Sequence, residues 1–240
     1  ATTDNSDDDQ DTIAGNPNIR QEQIWRYDLN LEYRLPNNIG VLNSRLYYRD
    51  VNDVIDQIDV SPSPDNLQSA RGNIGDGTSY GLNLDASTQL SYLGLPNALL
   101  TVRLGINESE LLDPFLGIER RFNWSRRWSG RTDFRHDVNK YNLSYGFSYS
   151  TQAREGSNYN RIDVFDMERE IPDYNLNLFF EKRAFGGITF RFDARNVNDR
   201  NFCRERTRFD GATVDGIVEE IENSCRQPGV RYSLKIRNTF

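Results

Sequence analysis

The chain has 240 residues and a formal net charge of −7, with its basic residues spread along the sequence, which argues against a nucleic-acid surface. It is rich in aromatics, with 12 Tyr and 13 Phe against one Met and one His. No run of roughly 18 apolar residues occurs, so a transmembrane helix is excluded. A barrel strand, by contrast, needs only about 9–11 residues with alternate ones apolar.

Residues 1–14 begin with the acidic stretch ATTDNSDDDQD, which lacks the apolar centre of a signal peptide. An export signal is therefore expected upstream, and the chain is expected to be a fragment or a processed product. Asp7, Asp8 and Asp9 lack the oxygen spacing and the glycine of a calcium loop and are read as solvated.

From Trp25 to Leu35, residues Trp25, Tyr27, Leu29, Leu31, Tyr33 and Leu35 alternate with Arg26, Asp28, Asn30, Glu32 and Arg34. Successive strand side chains point to opposite faces, so this is a strand with one apolar and one charged side. The turn Pro36–Gly40 (PNNIG) comes next. Asp50, Asp53, Asp56 and Asp59 recur at every third residue; contact with a cation or a cationic substrate and an ordinary solvated strand end are the open readings. A long polar loop is predicted at about 56–77, then a short turn at Gly94–Asn97. Ala98–Asn107 alternates again, with Leu100, Val102, Leu104 and Ile106 opposite Thr101, Arg103, Gly105 and Asn107.

A second long loop is predicted over about 108–123. It runs into the one locally basic, aromatic stretch, in which Arg120, Arg121, Arg126, Arg127 and Arg131 interleave with Phe122, Trp124 and Trp128. Arg120, Arg121, Arg126, Arg127 and Trp124 are candidates for a ligand or for lipopolysaccharide phosphates, since guanidinium groups grip phosphate bidentately. The other reading turns these arginines inward, paired with Asp133 and Asp137. His136 has no nucleophile near it in sequence, so no triad is formed, and nothing else points to catalysis. No metal or cofactor site is expected.

Tyr141–Tyr149 and Ile188–Arg195 alternate in the same way. Short turns are predicted at Asp137–Lys140, Ile171–Asp173 and Val197–Asn201, with outer-side junctions at Ala153–Asn158 and Arg183–Gly187. A third long loop is predicted over about 210–228. Cys203 and Cys225 fit no metal spacing. A disulfide is expected between them in an oxidising compartment, the alternative being two buried thiols. The final strand sets Val230, Tyr232, Leu234, Ile236 and Phe240 against Arg231, Ser233, Lys235, Arg237 and Thr239.

A soluble sandwich alternates as well. Strands of ten residues or more, charges of both signs at mid-strand and aromatic strand ends favour a membrane barrel with a watery interior. About eleven strands are predicted, the first and last both running toward the short-turn side.

Gly15–Glu22 (GNPNIRQE), Ala70–Leu84 (ARGNIGDGTSYGLNL), Arg195–Arg200 (RNVNDR) and the terminal strand ending at Phe240 together resemble the barrel of TonB-dependent outer-membrane receptors. Gln21 stands where that family's signature has its second proline, and Asn198 stands in place of the aromatic of its R-N-L-F-D turn. The resemblance implies an all-β, antiparallel transmembrane barrel, with residues 1–14 in an extracellular loop and residues 15–240 forming the C-terminal half of a 22-stranded wall. It implies uptake of a scarce nutrient across the outer membrane of a Gram-negative bacterium. The partners it implies are an N-terminal half carrying a plug, the TonB complex acting through that plug, the barrel assembly machinery, and the bilayer with its lipopolysaccharide. Tyr232, Leu234, Ile236 and Phe240 would form the assembly signal. Two other classes stand beside it: a structural or interaction subunit of an outer-membrane assembly, and a soluble all-β binding module.

Overall fold

A computed structural model describes residues 2–3, 12–123, 125–153, 161–171 and 173–238. The strands among them are β1 (Thr2–Thr3), β2 (Thr12–Ile13), β3 (Gln23–Arg34), β4 (Gly40–Asp59), β5 (Gln68–Gln89), β6 (Ala98–Asp113), β7 (Ile118–Arg120), β8 (Trp128–Val138), β9 (Leu143–Ala153), β10 (Arg161–Ile162), β11 (Asp166–Glu170), β12 (Asp173–Arg183), β13 (Ile188–Arg195), β14 (Phe202–Phe209), β15 (Val218–Arg226) and β16 (Arg231–Asn238). Nine of them form one meander in the order β3-β4-β5-β6-β8-β9-β12-β13-β16, every neighbouring pair antiparallel.

At one end of the meander the four connections are tight, each built on a three-residue 3-10 turn at 36–38, 91–93, 139–141 and 185–187. The left-handed backbone that such reversals need falls on Asn37, Gly94, Asn142 and Gly186. Glycine enters that region without a Cβ clash, and asparagine tolerates it better than most. At the other end the connections are long, spanning 60–67, 114–127, 154–172 and 196–230.

This arrangement corrects the strand count. Ile171–Asp173 and Val197–Asn201 are not short turns. They lie at the long-connection end, where β11 leads into β12 and β13 leads into β14. Reading the first break as a turn inserts one extra strand and reverses the direction assigned to the strands after it. That reversal put Arg183–Gly187 on the outer side, whereas it belongs with the tight turns. The second break restores the direction, so the last strand does run toward the tight-turn end. The predicted loops at 56–77 and 108–123 are also largely strand, in the outer reaches of β4, β5 and β6. Both faces there lack the apolar alternation that marks the lower parts of the same strands.

Register carries one apolar face across the whole meander. Tyr27 lies opposite Tyr48, Leu82 opposite Ile106, Phe134 opposite Phe147, Phe180 opposite Phe192, and Phe192 opposite Leu234. These side chains are not buried in a core: Leu29 is 55% exposed, Ile106 59% and Leu234 64%. A soluble sandwich would cover such residues with a second sheet. A face this extensive is stable in an apolar surrounding. Trp25, Tyr80, Trp128 and Tyr174 border the band near the long connections, and Tyr33, Tyr92 and Tyr141 border it near the tight turns, in the manner of the two aromatic girdles of barrel walls. The largest of the fully buried side chains are polar: Asp166, Ser69 and Ser109.

The meander is open. Its edges are β3, exposed along all 12 residues, and β16. Both run from the long-connection end to the tight-turn end.

A second sheet, β10-β11-β14-β15, stands at the long-connection end. It prolongs β12, β13 and β16 beyond a break, because β11 pairs with β14 as β12 pairs with β13. The break is braced by asparagines. Asn196, at φ 57°, donates to the Gly229 carbonyl at 3.0 Å and accepts from the Arg200 amide at 2.9 Å. Asn198 accepts from the Leu176 amide at 2.8 Å and donates to the Tyr174 carbonyl at 2.7 Å.

Candidate functional site

The face opposite the apolar one carries ionic rows along mid-strand. Arg45 bonds Asp28 at 2.7 Å, Arg103 lies 3.5 Å from Asp85, Arg131 bonds Asp133 at 2.7 Å, and Arg191 bonds Asp193 at 2.9 Å. Charges so placed need water or one another, and here they pair with one another. Part of this face forms a groove of 880 Å³, bounded by Thr101 and Arg131 on one side and by Arg195 and Arg231 on the other. Its size suits a small-molecule ligand.

The basic, aromatic stretch is divided by the structure. Arg120 and Arg121 are buried, which corrects their reading as outward contacts. Arg120 bonds Asp113 at 2.6 Å and Asp56 at 3.1 Å, and also donates to the Arg121 carbonyl at 2.9 Å. Two carboxylates offset what desolvation of a lone guanidinium would cost. Arg121 bonds Glu108 and the Asn107 carbonyl, and the expected inward pairing with Asp133 is met by Arg131. Burial lowers the Arg121 pKa, opposed by Glu108. Arg126 and Arg127 are exposed, Arg126 lining a smaller recess on the polar face with Arg45 and Arg103. Trp124 lies outside the described residues.

The outer sheet is fastened to the extension of β4 and to the segment after β7 by polar contacts. Arg161 bonds Asp163 at 2.6 Å and Glu168 at 2.8 Å and lies 3.2 Å from Asp166, which Arg206 bonds at 2.5 Å. Burial pushes the Asp166 carboxyl up, with Arg161 and Arg206 pulling it back. Burial would lower Arg161, but Asp166, Asp163 and Glu168 outweigh it and hold the guanidinium above its usual value. Gln57 reaches Asp163 at 2.8 Å. Asn123 accepts from the Ile162 amide at 2.9 Å and donates to Asp56 at 2.6 Å. A small apolar cluster of Val51, Val54, Ile74 and Leu111, with Ile58 and Phe122 against it, sits under the same contacts. The long-connection end is thus a braced rim.

The aspartates spaced by three do not converge. Asp53 pairs with Arg20, Asp56 with Arg120, and Asp59 accepts from the Ser61 amide. No group of three or more His, Cys, Asp or Glu side chains among the described residues is placed to hold a metal ion.

Two stretches singled out in the sequence meet. Asn73 accepts from the Arg20 amide and donates to the Arg20 and Asp53 carbonyls, while Asn16 donates to the Arg71 carbonyl at 3.1 Å. Glu22 accepts from the Ile55 amide at 3.1 Å. The segment Gly15–Glu22 is therefore laid against β4 and β5 near the rim. Gly72 packs so closely that a Cβ would stand 2.2 Å from Ile58 and 2.9 Å from Asn16.

Cys203 and Cys225 are disulfide-bonded and are direct cross-strand partners on β14 and β15. Tyr232, Leu234 and Ile236 stand on the apolar face of β16, and Phe240 lies outside the described residues. His136 also lies on the apolar face, its Nδ1 3.0 Å from the Tyr145 hydroxyl near the tight turns. The bracing asparagines Asn73, Asn123, Asn196 and Asn198 were not distinguished as functional from the sequence. Asn73, Asn196 and Asn198 do fall within the resembling stretches Ala70–Leu84 and Arg195–Arg200, whereas Asn123 stands between Phe122 and Trp124 with no such signal.

Residues 3–223 match the model of a family described as "Outer membrane protein beta-barrel family". No curated protein matches the chain.

Proposed function

The chain belongs to the outer membrane protein beta-barrel family, and from that premise we propose that it is barrel wall and outer rim of a receptor that takes up a scarce nutrient in a Gram-negative bacterium, energised through TonB. Outer-membrane location and barrel membership come from the family. Uptake and TonB coupling rest on the resemblance carried by Gly15–Glu22, Ala70–Leu84 and Arg195–Arg200.

The observation that carries the reading is the open meander with two edges of the same direction. Unpaired strand edges in a bilayer cost several kcal/mol for each unsatisfied group. Joining β16 directly to β3, in one chain or between two copies, would make a parallel seam in an otherwise antiparallel wall. An antiparallel closure therefore takes an odd number of further strands, roughly thirteen for a plugged barrel of the 22-stranded class. Such a barrel has a lumen wide enough for a plug, and the ionic rows of the polar face suit a plug or water. In this reading the groove and the braced rim receive the ligand, and energy coupling belongs to the plug.

The test is to extract the native protein from outer membranes in detergent, map its peptides by mass spectrometry, and count strands in an imaged particle. A plug and an odd number of additional strands in the same barrel support the reading. A closed, heat-resistant barrel made of this chain alone contradicts it. A larger barrel without a plug would favour the second reading, a structural subunit, which the extensive polar bracing of the rim also suits.

A further inference from the structure

The outer end of the groove gathers positive charge that no carboxylate among the described residues answers. Arg195 on β13 and Arg231 on β16 are direct cross-strand partners on the polar face. Like charges directly opposite on neighbouring strands repel. Arg226, the last residue of β15, lines the groove with them. Its guanidinium lies 5.7 Å from the centre of the Phe202 ring, which Arg200 covers at 4.0 Å.

Elsewhere in the groove each arginine is matched. Arg131 has Asp133, Arg135 has Asp137 at 2.9 Å, and Arg191 has Asp193. Among the described residues no carboxylate pairs with Arg195, Arg226 or Arg231. Their neighbours Ala194 and Tyr232 occupy the apolar face, so Arg195 and Arg231 turn away from lipid, toward the groove that Arg226 also lines. A counter-charge for Arg195 and Arg231 would therefore reach them from the watery side and not from a lipid headgroup.

We infer that Arg195, Arg226 and Arg231 form a subsite for a small water-soluble polyanion bearing at least two carboxylate or phosphate groups. Guanidinium forks bind both groups bidentately, and such an anion relieves the repulsion between Arg195 and Arg231. A cleft of one charge sign also concentrates its ligand. Calling that anion the cargo rests on the receptor reading; the subsite itself does not.

The native protein, extracted from outer membranes in neutral detergent, is titrated calorimetrically with pyrophosphate and separately with citrate, with spermidine as control. Saturable binding of at least one anion is expected, with no binding of spermidine, and the tighter anion tells phosphate from carboxylate recognition. The double variant Arg195→Gln/Arg231→Gln should bind at least about tenfold more weakly, the loss expected for charge-assisted bonds. Arg226→Gln should weaken binding similarly and serves alone if the double variant does not fold, judged by heat-modified gel migration. Binding unchanged in the folded variants, or neither anion bound by the native protein at millimolar concentration, overturns the subsite; carboxylates from elsewhere in the barrel would produce the latter. Uptake that does not depend on TonB, alongside intact anion binding, would refute the receptor reading and leave the subsite standing.

Discussion

Asn73 holds Arg20 by both of its backbone groups, accepting from the amide at 2.7 Å and donating to the carbonyl at 3.0 Å. One side chain thus stands in for a strand neighbour and fixes a segment that has no ladder of its own. Asn73→Ala removes three hydrogen bonds, counting the one to the Asp53 carbonyl. A loss of about 2–3 kcal/mol of local stability is expected at about 1 kcal/mol each. Limited proteolysis at 15–22 should quicken while the meander stays intact. Asn73→Asp, which keeps the acceptor, should fall between.

Reduction of the Cys203–Cys225 bond should act on the outer sheet alone. The bond ties β14 to β15 at a directly opposed pair, and a loop of this length is worth about 3 kcal/mol. Hydrogen exchange in 202–226 should speed up on reduction or in Cys203→Ser/Cys225→Ser, with exchange in β3 to β6 unchanged.

Arg120 is the only side chain that bonds both Asp56 and Asp113 among the described residues. Arg120→Ala leaves two buried carboxylates facing one another, and about 3–5 kcal/mol of destabilisation is expected from breaking such a pair. Hydrogen exchange in the outer part of β4 and in β7 reports it. A triple change to apolar residues, Asp56→Leu/Asp113→Leu/Arg120→Met, should recover much of the loss.

Leu29 and Asn30 are adjacent and face opposite solvents. Leu29→Arg places a charge on the lipid face near mid-strand, at a cost of about 2–4 kcal/mol. Asn30→Arg places the same charge on the polar face, beside Asp28 but directly opposite Arg45; that like-charge pair costs at most about 1 kcal/mol, so the loss should stay well below that of Leu29→Arg. Urea unfolding of the protein in vesicles compares them.

Where one face meets lipid and the other water, the pattern in the sequence is complete. Trp25 to Tyr33 and Tyr232 to Ile236 place each residue on its observed face because a one-residue slip would turn the whole apolar set around. The disulfide was legible for a different reason, since neither cysteine sits in an apolar stretch. Above the membrane both faces are wet, and the signal ends. There Ile171–Asp173 and Val197–Asn201 look like turns because asparagine and proline chemistry is the same at a break as at a reversal. The burial of Arg120 was hidden for a related cause: its partners Asp56 and Asp113 are 64 and 7 residues away, and pairing over such separations leaves no local trace.

The orientation of the wall is tested most directly by spin-label accessibility along β3. Single cysteines are placed in turn from Ile24 to Arg34 of the native protein in bilayers, with Cys203 and Cys225 replaced by serine. Oxygen contact, which reports lipid, should peak at 25, 27, 29, 31 and 33, and contact with a water-soluble nickel complex should peak at the positions between. Equal access to the nickel complex on both faces, with no period of two, would contradict a membrane wall.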